Sequence, residues 1–503
     1  MANYIGIDLG TTNSAVSVLD ETGKPRIVHN QDGGNTTPSV ITFTDKHSYY
    51  IGEEAYKNLA NNESNTFGRF KRHMGTSKTY DVFGKTHTPE SLSALLLKKI
   101  KEDTEKQVGS ITKAVVTIPA NFANEAREAT LNAAKVAGLN VEYIINEPTA
   151  AALYYAFSSG KKLNGNYVVY DLGGGTFDVS VISVKDDDIS VLATEGVNRL
   201  GGDDFDKKLQ DFIGTEFESN TSQKLDVIEY NTISAEEDKK SLSKKDTVKV
   251  RCFSKDGSSR QNIEVSKQQF EESISSLIAQ TEMLCETVLD DASVKTTDIN
   301  AVFLVGGSTR IPCIAESVER VFGIKPDTSA NPDEVVALGA SLYAAYKAGG
   351  LGLNNEQQET FKNMNVGEIT SKYFGTLSLG IDEDKEQMSL TNDVIIEKGQ
   401  KIPYEKEITV YTAIDNQTRV QCRVTESNTH ETDPDFVKII WDGDLELPAN
   451  RPAGQKVMIK YSYDDNQIMK CSFMDVESGK KTEVDLSMND NQSDIDIEKF
   501  TVA

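Results

Sequence analysis

Two stretches of the sequence share one layout: YIGIDLGTTNSAVSV at residues 4–18 and VVYDLGGGTFDVSVI at residues 168–182. Each starts as an apolar strand, continues through Asp-Leu-Gly and a run of small or hydroxyl residues, and ends in a second alternating strand. A layout that repeats within one chain indicates duplicated architecture. The pair therefore predicts two related lobes that face each other.

The residue types in both turns suit phosphate binding. A turn of glycine and threonine has no bulky Cβ atoms, so its backbone N–H groups can approach phosphate oxygens. Asp8 and Asp171 stand at the strand ends, where their carboxylates can hold a hydrated Mg²⁺ through its waters. Thr11, Thr12 and Thr176 add hydroxyls. Either motif alone could be an ordinary glycine-rich hairpin, but the matched pair favours a phosphate site.

A third glycine turn lies in FLVGGSTRIP at residues 303–312. This pattern of strand, Gly-Gly turn, hydroxyl and arginine could be an ordinary connection between a strand and a helix. It could also form a backbone platform under a nucleoside, with Arg310 against one face of the base. The residues alone leave both interpretations open.

The predicted secondary-structure pattern differs between the two parts of the chain. Up to about residue 350, short apolar strands alternate with helical patterns, as in residues 114–119 followed by 124–137, which predicts α/β lobes. Long helices are predicted over 266–291 and 334–348. Beyond a polar stretch that begins at Leu351, strand-length runs rich in β-branched residues predict a β-sandwich. These runs span residues 407–413, 419–424, 436–441, 456–463 and 468–473.

Composition excludes several function classes. The chain has 78 acidic and 53 basic residues and a formal charge of -25, which disfavours nucleic acid and anionic membranes as partners. The five cysteines never form a CxxC pair, so we expect packing thiols rather than disulfides or a zinc site. Since no stretch resembles a leader or a membrane span, we expect a cytoplasmic protein.

Several segments together resemble the 70-kDa heat-shock chaperone (DnaK-like) family, and the resemblance covers nearly the whole chain. They are IGIDLGTTNS, FGRFKRHMG, AVVTIPANF, INEPTAAAL, YDLGGGTFDVS, LGGDDFD, VGGSTRIP and NPDEVVALGA. The resemblance implies a two-lobed, actin-like ATPase domain of duplicated ribonuclease-H-like cores, followed by an all-β sandwich domain. It also implies ATP or ADP with Mg²⁺ as ligands, and a role in protein folding and the stress response.

The resemblance places the nucleotide on both glycine turns and on three further segments. The implied nucleotide-binding residues are Gly10, Thr11, Thr12, Asn13, Gly173, Gly174, Gly175, Gly201, Gly202, Glu236, Lys239, Lys240, Ser243, Gly306, Gly307, Ser308, Arg310 and Asp333. Lys240 stands where family members often have an arginine that stacks on adenine. A lysine makes a less planar contact, which predicts lower affinity.

For hydrolysis, the resemblance implies Asp8, Lys71, Glu147, Asp171 and Thr176 as catalytic residues. Phosphoryl transfer needs a placed water, Mg²⁺ and cationic stabilisation of the γ-phosphate. Lys71 supplies a positive charge and can hold the water, the carboxylates orient metal and water, and Thr176 lies near the γ-phosphate. Without the resemblance, Lys71 would be interpreted as a solvated surface lysine and Glu147 as an ordinary residue at the start of a helix.

Pro119 and Arg127, with Glu147, match the positions through which the family relays nucleotide state to the far lobe. Pro119 could equally just end a strand. The family's aliphatic interdomain linker aligns here with Ile-Thr-Ser-Lys-Tyr at 369–373. Losing two buried leucines forfeits about 3 to 6 kcal/mol, whereas allosteric couplings are about 1 to 3 kcal/mol. This linker therefore puts coupling between ATP and the β domain in question.

The C-terminal strands resemble the family's peptide-binding sandwich. By that resemblance Ala413 and Val420 line a groove for extended polypeptides, with Cys422 nearby. All three could be ordinary core residues, and we favour that interpretation for Cys422. The charged stretch 382–389 does not align with the residues that arch over a bound peptide.

The predicted domains are a nucleotide-binding ATPase domain over 1–350, an interdomain linker over 351–374, a β-sandwich peptide-binding domain over 375–487 and a flexible acidic tail over 488–503. The family normally continues into a helical lid, so the expectation is either a lidless member or a shortened chain. Without a lid, peptide exchange should be fast and affinity modest.

Two functions remain. The first is an ATP-dependent chaperone that hydrolyses ATP to control binding of unfolded or extended polypeptides, with a J-domain co-chaperone and a nucleotide-exchange factor as partners. The second is a weakly hydrolysing relative that holds ATP as a clamp and serves as a regulatory, ribosome-associated or co-chaperone-associated module. Intact Lys71, Glu147 and Thr176 favour the first, whereas the polar linker and missing lid favour the second. A filament-forming actin relative or a sugar kinase leaves the β domain unexplained.

Overall fold

The computed structural model describes residues 3–61, 63–158, 163–185, 188–349, 365–382, 387–464, 467–486 and 501–502. The chain forms two compact units. Unit 1 consists of Met1–Val366 together with Ile495–Ala503, and unit 2 of Gly367–Asp494.

The first half of unit 1 alternates strands and helices. Its elements are β1 (Asn3–Asp8), β2 (Asn13–Leu19), β3 (Pro25–Ile27), β4 (Thr37–Pro38), β5 (Val40–Phe43), β6 (Ser48–Ile51), α1 (Glu53–Ala60), β7 (Thr66–Gly68), a 3-10 turn (Phe70–His73), β8 (Tyr80–Val82), β9 (Lys85–His87), α2 (Pro89–Val108), β10 (Ile111–Ile118), α3 (Asn124–Val136), β11 (Val141–Asn146) and α4 (Glu147–Ser158).

The second half continues the alternation. Its elements are β12 (Gly165–Leu172), β13 (Phe177–Lys185), β14 (Asp188–Val197), α5 (Gly202–Thr221), α6 (Thr232–Leu242), β15 (Thr247–Phe253), β16 (Arg260–Ser266), α7 (Lys267–Ala292), β17 (Ile299–Val305), a 3-10 turn (Gly307–Arg310), α8 (Pro312–Phe322) and α9 (Val335–Lys347). A further short 3-10 turn spans Thr296–Asp298.

Two sheets carry the halves, and their topologies match. In the first, the order is β11-β10-β1-β2-β3, with β1 antiparallel to β2 and parallel to β10. In the second, β17-β12-β13-β14 are neighbours in that order, with β12 antiparallel to β13 and parallel to β17. Strand β1 thus corresponds to β12, β2 to β13 and β10 to β17. The predicted duplication into two α/β lobes is confirmed.

Alternate side chains of β12 enter two different cores. Val168 and Tyr170 belong to the core of the second lobe, whereas Val169 belongs to a core shared with α4 and α9. A strand covered on both faces has to be apolar throughout, which explains the continuous apolar run before the glycine turn. Helices α4 and α9 pack closely because Gly339 has no side chain: a Cβ there would lie 1.7 Å from the carbonyl oxygen of Ala150.

Unit 2 is a β-sandwich, as predicted. Its strands are β19 (Tyr373–Asp382), β20 (Gln387–Ile396), β21 (Tyr404–Tyr411), β22 (Arg419–Ser427), β23 (Lys438–Glu446), β24 (Lys456–Tyr463), β25 (Met469–Asp475) and β26 (Lys481–Asp485). The short strand β18 (Asn365–Gly367) precedes them and is the neighbour of β14 in the sheet of the second lobe. Among the described residues, one four-stranded sheet has the order β20-β19-β22-β23 and another the order β21-β24-β25-β26. A 3-10 turn at Pro434–Phe436 delays the start of β23 relative to the prediction.

The predicted linker 351–374 extends too far toward the sandwich. Residues 351–364 lie outside the described residues, but residues 368–372 are all buried. Thr370 N donates to Gln400 O at 2.9 Å, and Thr370 Oγ1 donates to Glu397 O at 2.6 Å. Thr370 can be buried here because residues of unit 2 satisfy its hydrogen bonds. The names of the domains as nucleotide-binding and peptide-binding stay predictions.

The prediction of a flexible tail over residues 488–503 is wrong at Thr501–Val502. These residues form β27, which pairs in parallel with β6 because the edge of that strand accepts a further partner. The rest of the predicted tail lies outside the described residues.

The cysteines have the packing role that the sequence predicts. All five are free, and Cys252, Cys285, Cys422 and Cys471 are buried. Burial raises the pKa of Cys252 to about 11 and that of Cys422 to about 12, which keeps both thiols protonated. Within the described chain, no helix combines the length and the apolar character needed to span a bilayer.

Candidate functional site

The two glycine turns meet at one cavity in unit 1. The first turn follows β1 and contains Thr12, and the second follows β12 and contains Gly174. A Cβ on Gly174 would lie 2.0 Å from Thr12 Oγ1, so the turns touch where the second has no side chain. Thr12 Oγ1 is buried and has no hydrogen-bond partner among the described residues. Such a hydroxyl costs about 1–3 kcal/mol when left unsatisfied, which a phosphate oxygen would offset.

The start of α5 supports the second turn from behind. Gly202 N donates to Gly173 O at 3.0 Å, and Asp203 N donates to Gly174 O at 2.8 Å. A Cβ on Gly201 would lie 2.6 Å from Gly174 O, so a larger residue would push the turn out of place. Ser308 Oγ also donates to Gly173 O at 2.8 Å, so the shape of the turn is fixed by backbone contacts with α5 and by one side chain of the third glycine turn.

The cavity has a volume of about 540 Å³. All five predicted catalytic residues line it, namely Asp8, Lys71, Glu147, Asp171 and Thr176. Of the predicted nucleotide-binding residues, it is lined by Gly10, Thr11, Thr12, Asn13, Gly173, Gly174, Gly202, Glu236, Lys239, Lys240, Ser243, Gly306, Gly307, Ser308, Arg310 and Asp333. Gly175 and Gly201 are not lining residues. Gly175 belongs to the second turn and lies against Thr11 and Arg72, whereas Gly201 lies against Gly174.

A lysine and several carboxylates form the most polar part of the cavity wall. Lys71 Nζ lies 2.8 Å from Glu147 Oε1, and both residues are buried. Thr117 Oγ1 donates to Asp8 Oδ1 at 3.0 Å. Burial and the neighbouring Glu147 carboxylate raise the pKa of Asp8 to about 7, and the same causes raise the pKa of Asp171. This cluster is short of positive charge.

The residues present fit a hydrated magnesium ion. Asp8 ends β1 and Asp171 lies at the end of β12, so each lobe contributes one carboxylate. Mg²⁺ prefers oxygen ligands, keeps several of its waters and would supply the positive charge that the cluster lacks. Asp8 and Asp171 are therefore the residues that would hold it through water.

Helix α6 forms a second wall of the cavity. Lys239 Nζ lies 2.7 Å from Asp206 Oδ1 and donates to Gly202 O at 3.0 Å. Lys240 Nζ lies 3.0 Å from Glu236 Oε1, and its side chain is half exposed. The lysine that stands in the position of the expected stacking arginine is thus paired with a carboxylate of its own helix.

The third glycine turn forms a further part of the cavity wall. Arg310 Nη2 donates to Asp333 Oδ2 at 2.7 Å and to Asn331 Oδ1 at 2.6 Å, which holds the guanidinium in place. A Cβ on Gly307 would lie 2.8 Å from Asp333 Oδ1, so this turn also depends on glycine for close approach. Of the two interpretations left open for residues 303–312, the position on the cavity wall favours the nucleoside platform.

An ion-pair network that the sequence does not predict joins the lobes beside the cavity. Arg69 Nε lies 2.6 Å from Asp203 Oδ1, and Arg69 Nη2 lies 3.6 Å from Glu236 Oε2. Arg72 Nη2 lies 2.9 Å from Asp204 Oδ2. The arginines flank or belong to the Phe70–His73 turn of the first half, and the acids belong to α5 and α6 of the second. The charges are visible in FGRFKRHMG and LGGDDFD, but nothing in a single sequence pairs them.

Further lining residues were also missed. They are Thr36, Asp203, Asp206, Lys244, Val305, Ile311, Pro332 and Val336. The two aspartates lie in LGGDDFD, a segment already noted for its glycines, so they could have been found. The apolar members carry no chemical signal that distinguishes them from core residues.

Pro119 and Arg127 do not line the cavity. Pro119 is buried directly after β10. The buried Arg127 guanidinium donates to Ala120 O at 3.0 Å and to Asn146 Oδ1 at 3.4 Å. Asn146 directly precedes Glu147, so a short chain of contacts connects Arg127 to the cavity. The relay role of both residues stays a prediction.

The predicted groove residues of unit 2 differ in exposure. Ala413 is exposed in the turn between β21 and β22, Val420 is partly buried on β22, and Cys422 is buried in the core. Leu379 and Leu390 face each other across β19 and β20, and both are exposed. Residues 383–386 of the unaligned charged stretch lie outside the described residues. Apolar side chains at the surface are what a peptide groove needs, and the groove itself stays a prediction.

In a comparison with models of protein families, the model described as Hsp70 protein matches residues 4–503. The match covers both compact units and includes every residue that lines the cavity.

Proposed function

Because the chain belongs to the Hsp70 family, whose members are ATPases and chaperones, we propose that unit 1 binds and hydrolyses ATP to control polypeptide binding by unit 2. Family members generally bind ATP or ADP with Mg²⁺, unfolded polypeptides, J-domain co-chaperones and nucleotide-exchange factors. The observation that carries the proposal is the contact between Thr12 and Gly174 beside Asp8, Lys71 and Asp171.

Each group at the cavity has a proposed task. Thr12 and the backbone N–H groups of the second turn bind phosphate oxygens. Mg²⁺, when bound, neutralises phosphate charge and is held through water by Asp8 and Asp171. Lys71 orients the attacking water and stabilises the charge on the γ-phosphate, because a buried ammonium interacts more strongly than a solvated one. Glu147 fixes the position of Lys71 through their ion pair.

Unit 2 is the proposed polypeptide-binding part. Ala413 and Val420 belong to the turn and the strand after β21, where a groove lined by apolar side chains would accept an extended chain. Val420→Ala should weaken binding of an apolar peptide several-fold, as measured by fluorescence anisotropy. Gln421→Ala is the matched control, because successive residues of a strand point to opposite faces. Equal affinities of the two variants would contradict the groove.

A second candidate is a clamp that holds ATP and hydrolyses little. Of residues 369–373, which align with the family's aliphatic linker, residues 369–372 are instead buried, and Thr370 is hydrogen bonded to Gln400 and Glu397 of unit 2. That observation favours weak coupling between nucleotide and peptide. The clamp would act as a regulatory, ribosome-associated or co-chaperone-associated module; like the cytoplasmic location, this is a prediction.

One assay separates the two candidates. Single-turnover ATP hydrolysis is measured with and without an apolar peptide and with and without a J-domain protein. Acceleration by either addition supports the chaperone. A slow rate that neither addition changes supports the clamp. Lys71→Ala serves as the baseline, because contaminating ATPases would persist in that variant.

A further inference from the structure

We propose that the outer edge of β6 is a docking site for an extended peptide segment, and that the C-terminal segment of this chain, through Thr501–Val502, occupies it. The sheet has the order β27-β6-β5-β7, so β27 pairs with the side of β6 that faces away from β5. The pairing is parallel, with Thr501 opposite Ser48 and Val502 opposite Tyr49.

The backbone of β6 shows which groups this edge offers. Thr44 N donates to Ser48 O at 2.9 Å, and Thr42 is opposite Tyr50. In an antiparallel pair, residues alternate between those whose N–H and C=O face the partner and those whose groups face away. Ser48 and Tyr50 therefore face β5, whereas Tyr49 directs its backbone N–H and C=O to the outer edge. Tyr49 is the residue that lies opposite Val502.

The edge is suited to strand addition. Strand β6 reads Ser-Tyr-Tyr-Ile and contains no proline, lysine or other residue that commonly blunts an edge. The Tyr49 side chain is fully buried, with its ring centroid 6.2 Å from that of Phe43, so side-chain packing holds the middle of β6 against the core. An edge of this kind is a template for any extended segment that can supply main-chain hydrogen bonds.

The chain itself supplies a segment of matching chemistry. Thr501–Val502 pair with a strand of unit 1, although the chain from Gly367 to Asp494 belongs to unit 2. Residues 500–503 read Phe-Thr-Val-Ala, and aromatic and β-branched residues favour strands. Intramolecular docking also gains from a high effective concentration. The segment of the same molecule is therefore the occupant that we propose, rather than that of a second copy.

A designed disulfide tests the register and the occupant together. In the full chain, Ser48→Cys is combined with Thr501→Cys, since directly opposite residues of neighbouring strands lie about 5 Å apart, within disulfide reach. Mild oxidation should give an internally cross-linked monomer, seen by mass spectrometry and non-reducing electrophoresis. The control pair is Glu53→Cys with Thr501→Cys, because Glu53 is exposed on α1 and has no strand partner. A covalent dimer, or no cross-link beyond that of the control pair, would overturn the proposal.

Hydrogen exchange tests the docking without cysteines. The double variant Thr501→Pro and Val502→Pro should release the segment, because proline removes the N–H group and fixes φ away from strand values. The Tyr49 amide should then exchange at least about tenfold faster, a loss of roughly 1.4 kcal/mol of protection, whereas the Tyr50 amide, which faces β5, should not change. Added peptide of residues 491–503 should restore the Tyr49 protection, and a scrambled peptide should not. Unchanged exchange at Tyr49, or no rescue by the native peptide, would overturn the docking site.

Discussion

Lys71 is the side chain on which the proposed chemistry depends most. It is buried and paired with Glu147 at 2.8 Å. Lys71→Ala should lower ATP turnover at least about 100-fold with little change in ATP affinity, because it removes a contact made mainly in the transition state. Single-turnover kinetics and calorimetry measure the two quantities. Lys78→Ala, which removes an exposed lysine a few residues later, should leave turnover unchanged. Equal losses of affinity and turnover for Lys71→Ala would refute its role.

Gly201 shows how a residue outside the cavity can govern binding. A Cβ there would lie 2.6 Å from Gly174 O, and backbone cannot move aside as a flexible side chain can. Gly201→Ala should therefore displace the second turn and weaken ATP binding at least about tenfold, with overpacking costing roughly 1–3 kcal/mol of stability. Calorimetric titration and chemical unfolding measure these effects.

Gly214→Ala is the matched control for Gly201→Ala. Gly214 lies on the same helix, α5, and its Cβ position is 3.8 Å from the nearest atom, Leu225 Cδ2. Alanine in a helix interior should add about 0.5–1 kcal/mol of stability and leave ATP binding unchanged. Comparable affinities of the Gly201 and Gly214 variants would show that the turn does not rely on Gly201.

Among the structural elements, the hairpins β1–β2 and β12–β13 could be predicted from the sequence because their physics is local. Each combines an apolar strand, a glycine turn and a second alternating strand, and both hairpins are confirmed. The ion pair of Arg69 with Asp203 could not be predicted, since it joins residues far apart in sequence that meet only when the lobes have formed. Neither residue has a local pattern that requires the other.

Strand β9 contributes a pH-dependent part of the stability of unit 1. Burial, and to a lesser degree Lys85, lower the pKa of His87 to about 4, from an ordinary value of 6.5. A histidine with a lowered pKa favours the folded state fully above pH 6.5, and this contribution is lost as the pH falls toward 4. Between pH 7.5 and pH 5 the loss should be about 2 kcal/mol.

Chemical unfolding of unit 1 at both pH values tests the His87 contribution. The His87→Leu variant should lose about 2 kcal/mol less than the unchanged chain between these pH values. Carboxylates titrate equally in both proteins and cancel in the comparison. His47→Gln replaces an exposed histidine and should behave like the unchanged chain. An identical pH dependence in the His87 variant would contradict the assignment.

For the molecule as a whole, the ion pairs between the lobes should control how fast nucleotide leaves. Arg69 joins Asp203 and Glu236, and both acids also line the cavity. Arg69→Ala should speed ADP release about tenfold, since truncating a charge-assisted hydrogen bond costs roughly 1.5–3 kcal/mol. Stopped-flow release of a fluorescent ADP measures the rate.

Lys207→Ala is the matched control for Arg69→Ala. Lys207 pairs with Asp211 at 2.8 Å on α5, and both side chains are more than half exposed, so the pair contributes little. Its loss should not change the release rate. If Arg69→Ala also releases ADP at the unchanged rate, the lobes are not held together by this network.

The division of the chain shows where sequence patterns stop being informative. The sequence pattern changes from alternating strands and helices to strands alone, which predicts two domains. The structure has two compact units. Residues 368–372 look like a linker because they are polar, yet they are buried, since Gln400 and Glu397 satisfy Thr370. Thr501–Val502 look like a tail, yet they pair with β6. In both places a distant partner, rather than the local sequence, decides the structure.

The most direct test of the account is calorimetric titration of the purified chain with ATP and ADP, in the presence of Mg²⁺ and after its removal with a chelator. The account predicts saturable uptake of one nucleotide per chain that weakens strongly without Mg²⁺, and weakens likewise when Asp8 and Asp171 are both replaced by asparagine. Absence of binding, or binding at an affinity that neither the chelator nor the two substitutions change, would contradict it.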